Sequence, residues 1–271
     1  MRLSIEHSTR YHFDEPVVHA LQRLRLVPKH TQGQEILKWE MEYENAEPEL
    51  EYDDQNFNTV TLVAVEQGAT EVVVRCKGVV DTQDKSGVIG HHSGHLPLWS
   101  FLCQTDRTRP GPRIRSLLRE VECDPQNKLD YLHALSRCIL DKVEYRTGTT
   151  GVDTSAEEAA EHGFGVCQDH AHIFIGAARS MDIPARYVSG YLMMNDRVQQ
   201  EATHAWAEAH VEGLGWVGFD ISNGISPDPR YVRVATGRDY QDAAPITGIS
   251  FGTSAERLHV DVAVEQTQVE Q

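Results

Sequence analysis

Through about the first 85 residues, apolar side chains recur at every second position. No other feature of the chain restricts its fold as much, because side chains alternate between the two faces of a strand. The runs 2–7, 21–27, 37–43, 59–65 and 71–76 all carry the pattern, with turn residues between them. No helical spacing interrupts them, so this part is expected to form a small antiparallel sandwich or barrel.

The pattern breaks at Asp84-Lys85-Ser86-Gly87 and again at His91-His92-Ser93-Gly94-His95. Glycine and polar residues placed this way read as a linker. The expected division is a β-rich unit at 1–90 and a second unit at 91–271. In the second unit, 114–121 and 128–143 carry apolar residues three and four apart, as amphipathic helices do. Asp124-Pro125 reads as the start signal of the second of these. A further helix is expected from about Gln168 to Met181, stopped by Ile183-Pro184. Strand patterns return at 185–192, 203–211, 215–219 and 258–264. The fold class expected is α+β, with an antiparallel β-sandwich-like N-terminal unit followed by helices packed on an antiparallel sheet.

Composition narrows the function. The 271 residues are 40% hydrophobic and 24% charged, as in ordinary globular proteins. Asp and Glu number 41 against 25 Lys and Arg, a net charge of -16 that opposes binding to nucleic acid or to anionic membranes. Met1-Arg2-Leu3-Ser4-Ile5-Glu6-His7 lacks the apolar core of a secretory signal, so a cytoplasmic location is expected. The five cysteines, Cys76, Cys103, Cys123, Cys138 and Cys167, fit neither a disulfide framework nor a paired metal or redox motif. They read as free thiols.

One thiol stands apart. Gly163-Phe164-Gly165-Val166-Cys167-Gln168-Asp169 runs directly into an apolar helical stretch, which places Cys167 at a helix N-terminus. Unpaired N–H groups and the positive end of the helix dipole favour a thiolate there, and the glycines leave room for a substrate carbonyl. The Cys167 N–H is itself a candidate oxyanion donor. A lone cysteine near a helix start is more often a small buried hydrophobe, so its partners decide. In Thr203-His204-Ala205-Trp206-Ala207-Glu208-Ala209-His210, alternation puts His204, Trp206, Glu208 and His210 on one strand face. Asp220 ends the next strand pattern, an even number of residues away from His204. If the two are directly opposed, the turn centres on Glu212 and both side chains share a face. Such an aspartate would orient the imidazole while the other ring nitrogen exchanges a proton with the thiol. Singly, His204 reads as a core or surface histidine and Asp220 as a turn residue. The three together are harder to ascribe to chance.

The segments 165–169, 183–191, 203–206 and 215–220 resemble the motifs of the bacterial transglutaminase-like superfamily, whose members are often called cysteine proteases. The likeness extends into 235–240, and the β-rich first part resembles the N-terminal region that accompanies that domain. The resemblance implies a papain-like core with Cys167 as nucleophile, His204 as general base and acid, and Asp220 as orienting carboxylate. Two positions depart from the pattern: His170 stands where a Phe is expected, and Ile221-Ser222 where Pro-Thr is expected.

The activity expected is cysteine-dependent acyl transfer on a peptide or small amide through a thioester, with hydrolysis favoured over protein-glutamine transamidation. The rival from another class is a non-catalytic peptide-binding module. No cofactor or metal is expected. His170, His172, His204, His210 and His162 invite a metal, but residues two apart on a helix diverge, so His170 and His172 would not share an ion. The histidines at 91–95 read as an exposed linker, and the acidic run 40–51 as a solvated face. A homo-oligomer is left open.

Overall fold

The computed structural model describes residues 1–200, 202–251 and 256–267. The chain runs through β1 (Arg2–Phe13), β2 (His19–Leu24), β3 (Gln34–Glu44), β4 (Ala46–Asp53), β5 (Thr59–Val65), β6 (Glu71–Thr82) and β7 (Val88–Gly90). It continues through α1 (Pro112–Glu120), α2 (Lys128–Lys142), β8 (Glu144–Tyr145), α3 (Ala156–His162), β9 (Phe164–Gly165) and α4 (Cys167–Ser180). The last elements are β10 (Ala185–Leu192), β11 (Gln199–Gln200), β12 (His204–Val211), β13 (Gly215–Phe219), β14 (Tyr231–Gly237), α5 (Tyr240–Ala243), β15 (Ile246–Phe251) and β16 (Glu256–Gln266). The fold is α+β, as the sequence predicts.

The alternation in the first part produces a sandwich. One sheet has the order β11-β16-β1-β6-β3 and the other β15-β2-β5-β4. Phe13, Leu24, Val63, Val65, Val72 and Val74 fill the space between them. At its other end β1 turns the same face, through Leu3 and Ile5, onto Tyr191, Val232 and Val234 of the neighbouring sheet. β1 therefore serves two cores with one set of inward side chains.

That neighbouring sheet has the order β14-β10-β12-β13-β7. Ala205, Ala207 and Ala209 on β12 and Val217 and Phe219 on β13 share a buried cluster with Ala171, Phe174 and Ala178 of α4. Small residues let the helix lie close to the strands, and Phe174 fills the remaining gap against Phe219, ring centroids 5.0 Å apart. Burying a side chain such as Phe174 contributes about 1.5–3 kcal/mol. α4 ends at Ser180, followed by Asp182 at φ 54 and then Ile183-Pro184.

Several expectations are corrected in detail. α2 is capped by Asn127, whose side chain accepts from the Asp130 N–H, while Asp124 turns the chain just before by accepting from the Gln126 N–H. The segment read as a linker contains β7, which pairs with β13, and His92 is tucked against Phe101 and Trp216. The acidic run 40–51 does present a solvated face, but it does so from β3 and β4. The C-terminal strands, read as part of the second unit, return to the first: β16 pairs with β1 along Leu3–Phe13, and β15 pairs with β2.

Candidate active site

Cys167 is the first residue of α4 and is half-buried. The chain reaches it through β9, which pairs with β8. Asp169, three residues further on, closes the approach loop: its Oδ2 accepts from the Val166 N–H at 2.8 Å and from the Thr150 hydroxyl at 2.7 Å. A Cβ at Gly165 would lie 2.7 Å from the Asp169 Cβ, so only glycine fits beneath this cap. The N–H groups of the first helical turn have no intrahelical acceptor, and Cys167 is the first residue of that turn.

His204 opens β12, and Asp220 lies just past the end of β13 in a bridge with Ile225. The pairing Val211↔Gly215 and Glu208↔Gly218 centres the reversal on Gly213, at φ 83, not on Glu212. Moving the turn centre by one residue slides the register by two, so parity survives. The two side chains therefore meet diagonally instead of face to face, with His204 Nε2 2.6 Å from Asp220 Oδ2. Oδ2 also accepts from the Asn223 side-chain amide and the Tyr231 hydroxyl, each at 2.7 Å, and Oδ1 accepts from the Asn223 N–H. Cys167 lies close enough to His204 to bear on its protonation. With Nε2 engaged by Asp220, Nδ1 is the nitrogen left for the sulfur.

Burial drives His204 toward neutrality, but the charge and hydrogen bond of Asp220, and then the Cys167 contact, overcome it and push the imidazole up to about 10. Burial likewise favours a neutral Asp220, yet His204, Asn223 and Tyr231 hold its carboxyl below the usual range. Burial and the Asp220 charge raise the Tyr231 hydroxyl, which therefore remains a donor.

The other histidines do different work. His170 Nε2 donates to the Val143 carbonyl and its Nδ1 accepts from the Ser222 hydroxyl, both at 2.9 Å. His172 points elsewhere: it is wholly buried, its Nε2 accepts from the Tyr240 N–H, and burial pushes it down to about 3. Among the described residues no group of three or more His, Cys, Asp or Glu could hold a metal. Trp206 belongs to a buried cluster with Val188, Leu192 and Tyr231, and its ring also stacks beside His204 at 6.2 Å. Tyr145 lies near the pair, its hydroxyl pushed up to about 12 by burial and then by Cys167 and Asp220.

The family models bear directly on this arrangement. Residues 3–81 match the bacterial transglutaminase-like N-terminal region and residues 115–221 the transglutaminase-like superfamily. An uncharacterized protein of Mycobacterium leprae is 30% identical over 99% of both chains. The chain belongs to the bacterial transglutaminase-like family. An uncharacterized protein of Mycobacterium tuberculosis is 35% identical to this transglutaminase-like protein over 57% of it and 53% of the relative. The fold is that of the "putative cysteine protease" of Cytophaga hutchinsonii, which superposes with a TM-score of 0.76 at 24% identity, covering 100% of this chain and 92% of that one.

Within this transglutaminase-like frame, the two departures from the family pattern touch each other. His170 on α4 and Ser222 in the turn after Asp220 form one hydrogen bond. Together they tie the helix that carries Cys167 to the turn that carries Asp220. The 235–240 likeness also gains a physical role: the Arg238 carbonyl accepts from Arg179 Nη2 at 2.6 Å, and Asp239 caps α5 beside the His172 contact. Sequence reasoning missed Asn223, Tyr231 and Thr150. Asn223 sits in a recognisable turn, whereas Tyr231 and Thr150 gave no signal, because each reaches the site from a separate segment.

Proposed function

We propose that this protein is a cysteine-dependent acyl-transfer enzyme that cleaves an amide, with Cys167 as nucleophile, His204 as general base and acid, and Asp220 as orienting carboxylate. The observation that carries the reading is the 2.6 Å His204–Asp220 bond, with Cys167 near enough to the same imidazole to help raise it. Membership of the transglutaminase-like family supports it.

In the first half-reaction, Cys167 Sγ bonds to the acyl carbon. A helix N-terminus and an adjacent imidazolium both favour negative charge on the attacking sulfur. The Cys167 N–H donates to the oxyanion as it forms. The C–N bond then breaks, the amine leaves with the proton held by His204, and a thioester remains. In the second half, water gives a proton back to His204 and bonds to the acyl carbon while the C–S bond breaks. Asn223 and Tyr231 keep Asp220 ionised and aimed, so the imidazolium stays supported through both halves.

Iodoacetamide tests the nucleophile. Cys167 should be alkylated faster than the other four thiols, and His204→Ala should slow that reaction at least tenfold. A Cys167 no faster than exposed Cys103 would sink the catalytic reading. Cleavage of a peptide and small-amide library with a primary amine added then separates the outcomes: free acid signals hydrolysis, and an amine-coupled product signals transamidation.

A further inference from the structure

A second cavity lies on the face of the β10-β12-β13 sheet that points away from α4. It holds about 730 Å³, enough for a drug-sized ligand, and its walls come from loops of the N-terminal half and from Arg186, Trp216 and Arg233 of the sheet. Arg186 and Arg233 share a single carboxylate, Glu208, which is fully buried between them. Arg186 Nε donates to Glu208 Oε2 at 2.7 Å, and Arg233 meets both Glu208 oxygens, at 2.6 and 3.0 Å. Among the described residues, neither Nη of Arg186 nor Nη1 of Arg233 has a protein acceptor. The Arg186 guanidinium lies 3.9 Å over the Trp216 ring, which fixes its plane.

Lys29 adds a third cation to the same wall. Its ammonium donates to the Asn56 and Phe57 carbonyls and to Asn58 Oδ1, all neutral acceptors. Asp54, which also acts on Lys29, is matched to Arg25 at 3.2 Å, and Asp53 sits exposed at the rim. Three cations therefore face the cavity against one buried carboxylate, in a chain whose net charge is -16. We propose that this cavity is a binding site for a small polyvalent anion, a phosphate ester or a polycarboxylate, held by the free Nη groups of Arg186 and Arg233.

Guanidinium donors that no protein acceptor uses, both Nη of Arg186 and Nη1 of Arg233, suit the oxygens of a phosphate or carboxylate. The uncompensated charge is visible at Lys29, which burial first and then Arg233 and Arg186 push down to about 7. A bound anion would complete the charge balance that Glu208 begins.

Isothermal titration of the full chain with pyrophosphate and, separately, with citrate, each against sodium chloride of matched ionic strength, tests the proposal. One saturable site is expected. Preference for pyrophosphate assigns a phosphate ligand, and preference for citrate a carboxylate. Arg186→Met leaves Glu208 paired with Arg233 alone, a neutral couple, and should weaken binding at least tenfold. Gln32→Glu, an exposed change at the rim, should do the same without touching the buried network. No heat beyond the chloride control from either probe, or binding that both variants leave unchanged, overturns the proposal.

Discussion

Asp220 Oδ2 accepts three hydrogen bonds, from His204, Asn223 and Tyr231, and that concentration makes single substitutions informative. Asp220→Asn removes the carboxylate that supports the imidazolium, so alkylation of Cys167 at neutral pH should slow at least tenfold while the fold persists, as circular dichroism would show. Stability should also respond to pH in a defined direction. His204 is held up at about 10 against an ordinary 6.5, so its contribution is complete below pH 6.5 and is lost as pH rises from there through 10. His7 and His172 are pushed down by burial to about 4 and 3, so the stability tied to their neutral forms is lost as pH falls below 6.5. Urea midpoints should therefore peak near pH 6.5, and His204→Gln should flatten the alkaline limb. An alkaline limb identical in the variant would show that another group is responsible. At this scale the helix-start position of Cys167 and the approach of His204 to Asp220 were legible because helix starts and strand parity can be read locally. Tyr231 was not, since nothing in its own segment shows that a carboxylate lies within reach, and Asn223 read only as part of the turn after Asp220.

α4 must sit close to its neighbours for Cys167 to face His204, and Gly176 permits part of that approach. A Cβ there would lie 2.0 Å from the Thr108 carbonyl oxygen. Alanine gains about 1 kcal/mol of helix propensity over glycine, but overpacking costs about 1–3 kcal/mol, so Gly176→Ala should lower the urea midpoint. Ser222→Ala leaves His170 Nδ1 buried without its donor and should cost about 1–3 kcal/mol, with Cys167 alkylation slowed as α4 loosens from the Asp220 turn. Elements were readable where periodicity was strong: β10 has the bounds that alternation gave, and α4 differs by one residue at each end. α3 escaped because it is only seven residues long and its buried stripe, Ala156, Ala159 and Ala160, is made of alanines alone. The β12–β13 register slipped because two glycines, Gly213 and Gly215, both suit a reversal and the pattern does not choose between them.

Across the whole molecule, the return of β15 and β16 was the least legible feature, because strand alternation says nothing about which distant strand is the partner. A chain ending at residue 245 would leave β1 and β2 each with an unpaired edge. Such edges recruit other chains, so size-exclusion chromatography should show large assemblies or loss of soluble protein. A monomeric, folded product would instead mean that the 1–90 unit closes by itself. The same pairing has a consequence in time. β1 leaves the ribosome well ahead of its β16 partner, which begins about 240 residues later. At roughly 5–20 residues per second, one edge of β1 waits on the order of ten to fifty seconds. During synthesis this protein is therefore exposed to chaperone capture and to pairing with a neighbouring nascent chain, and β16 acts as the latch that ends that interval.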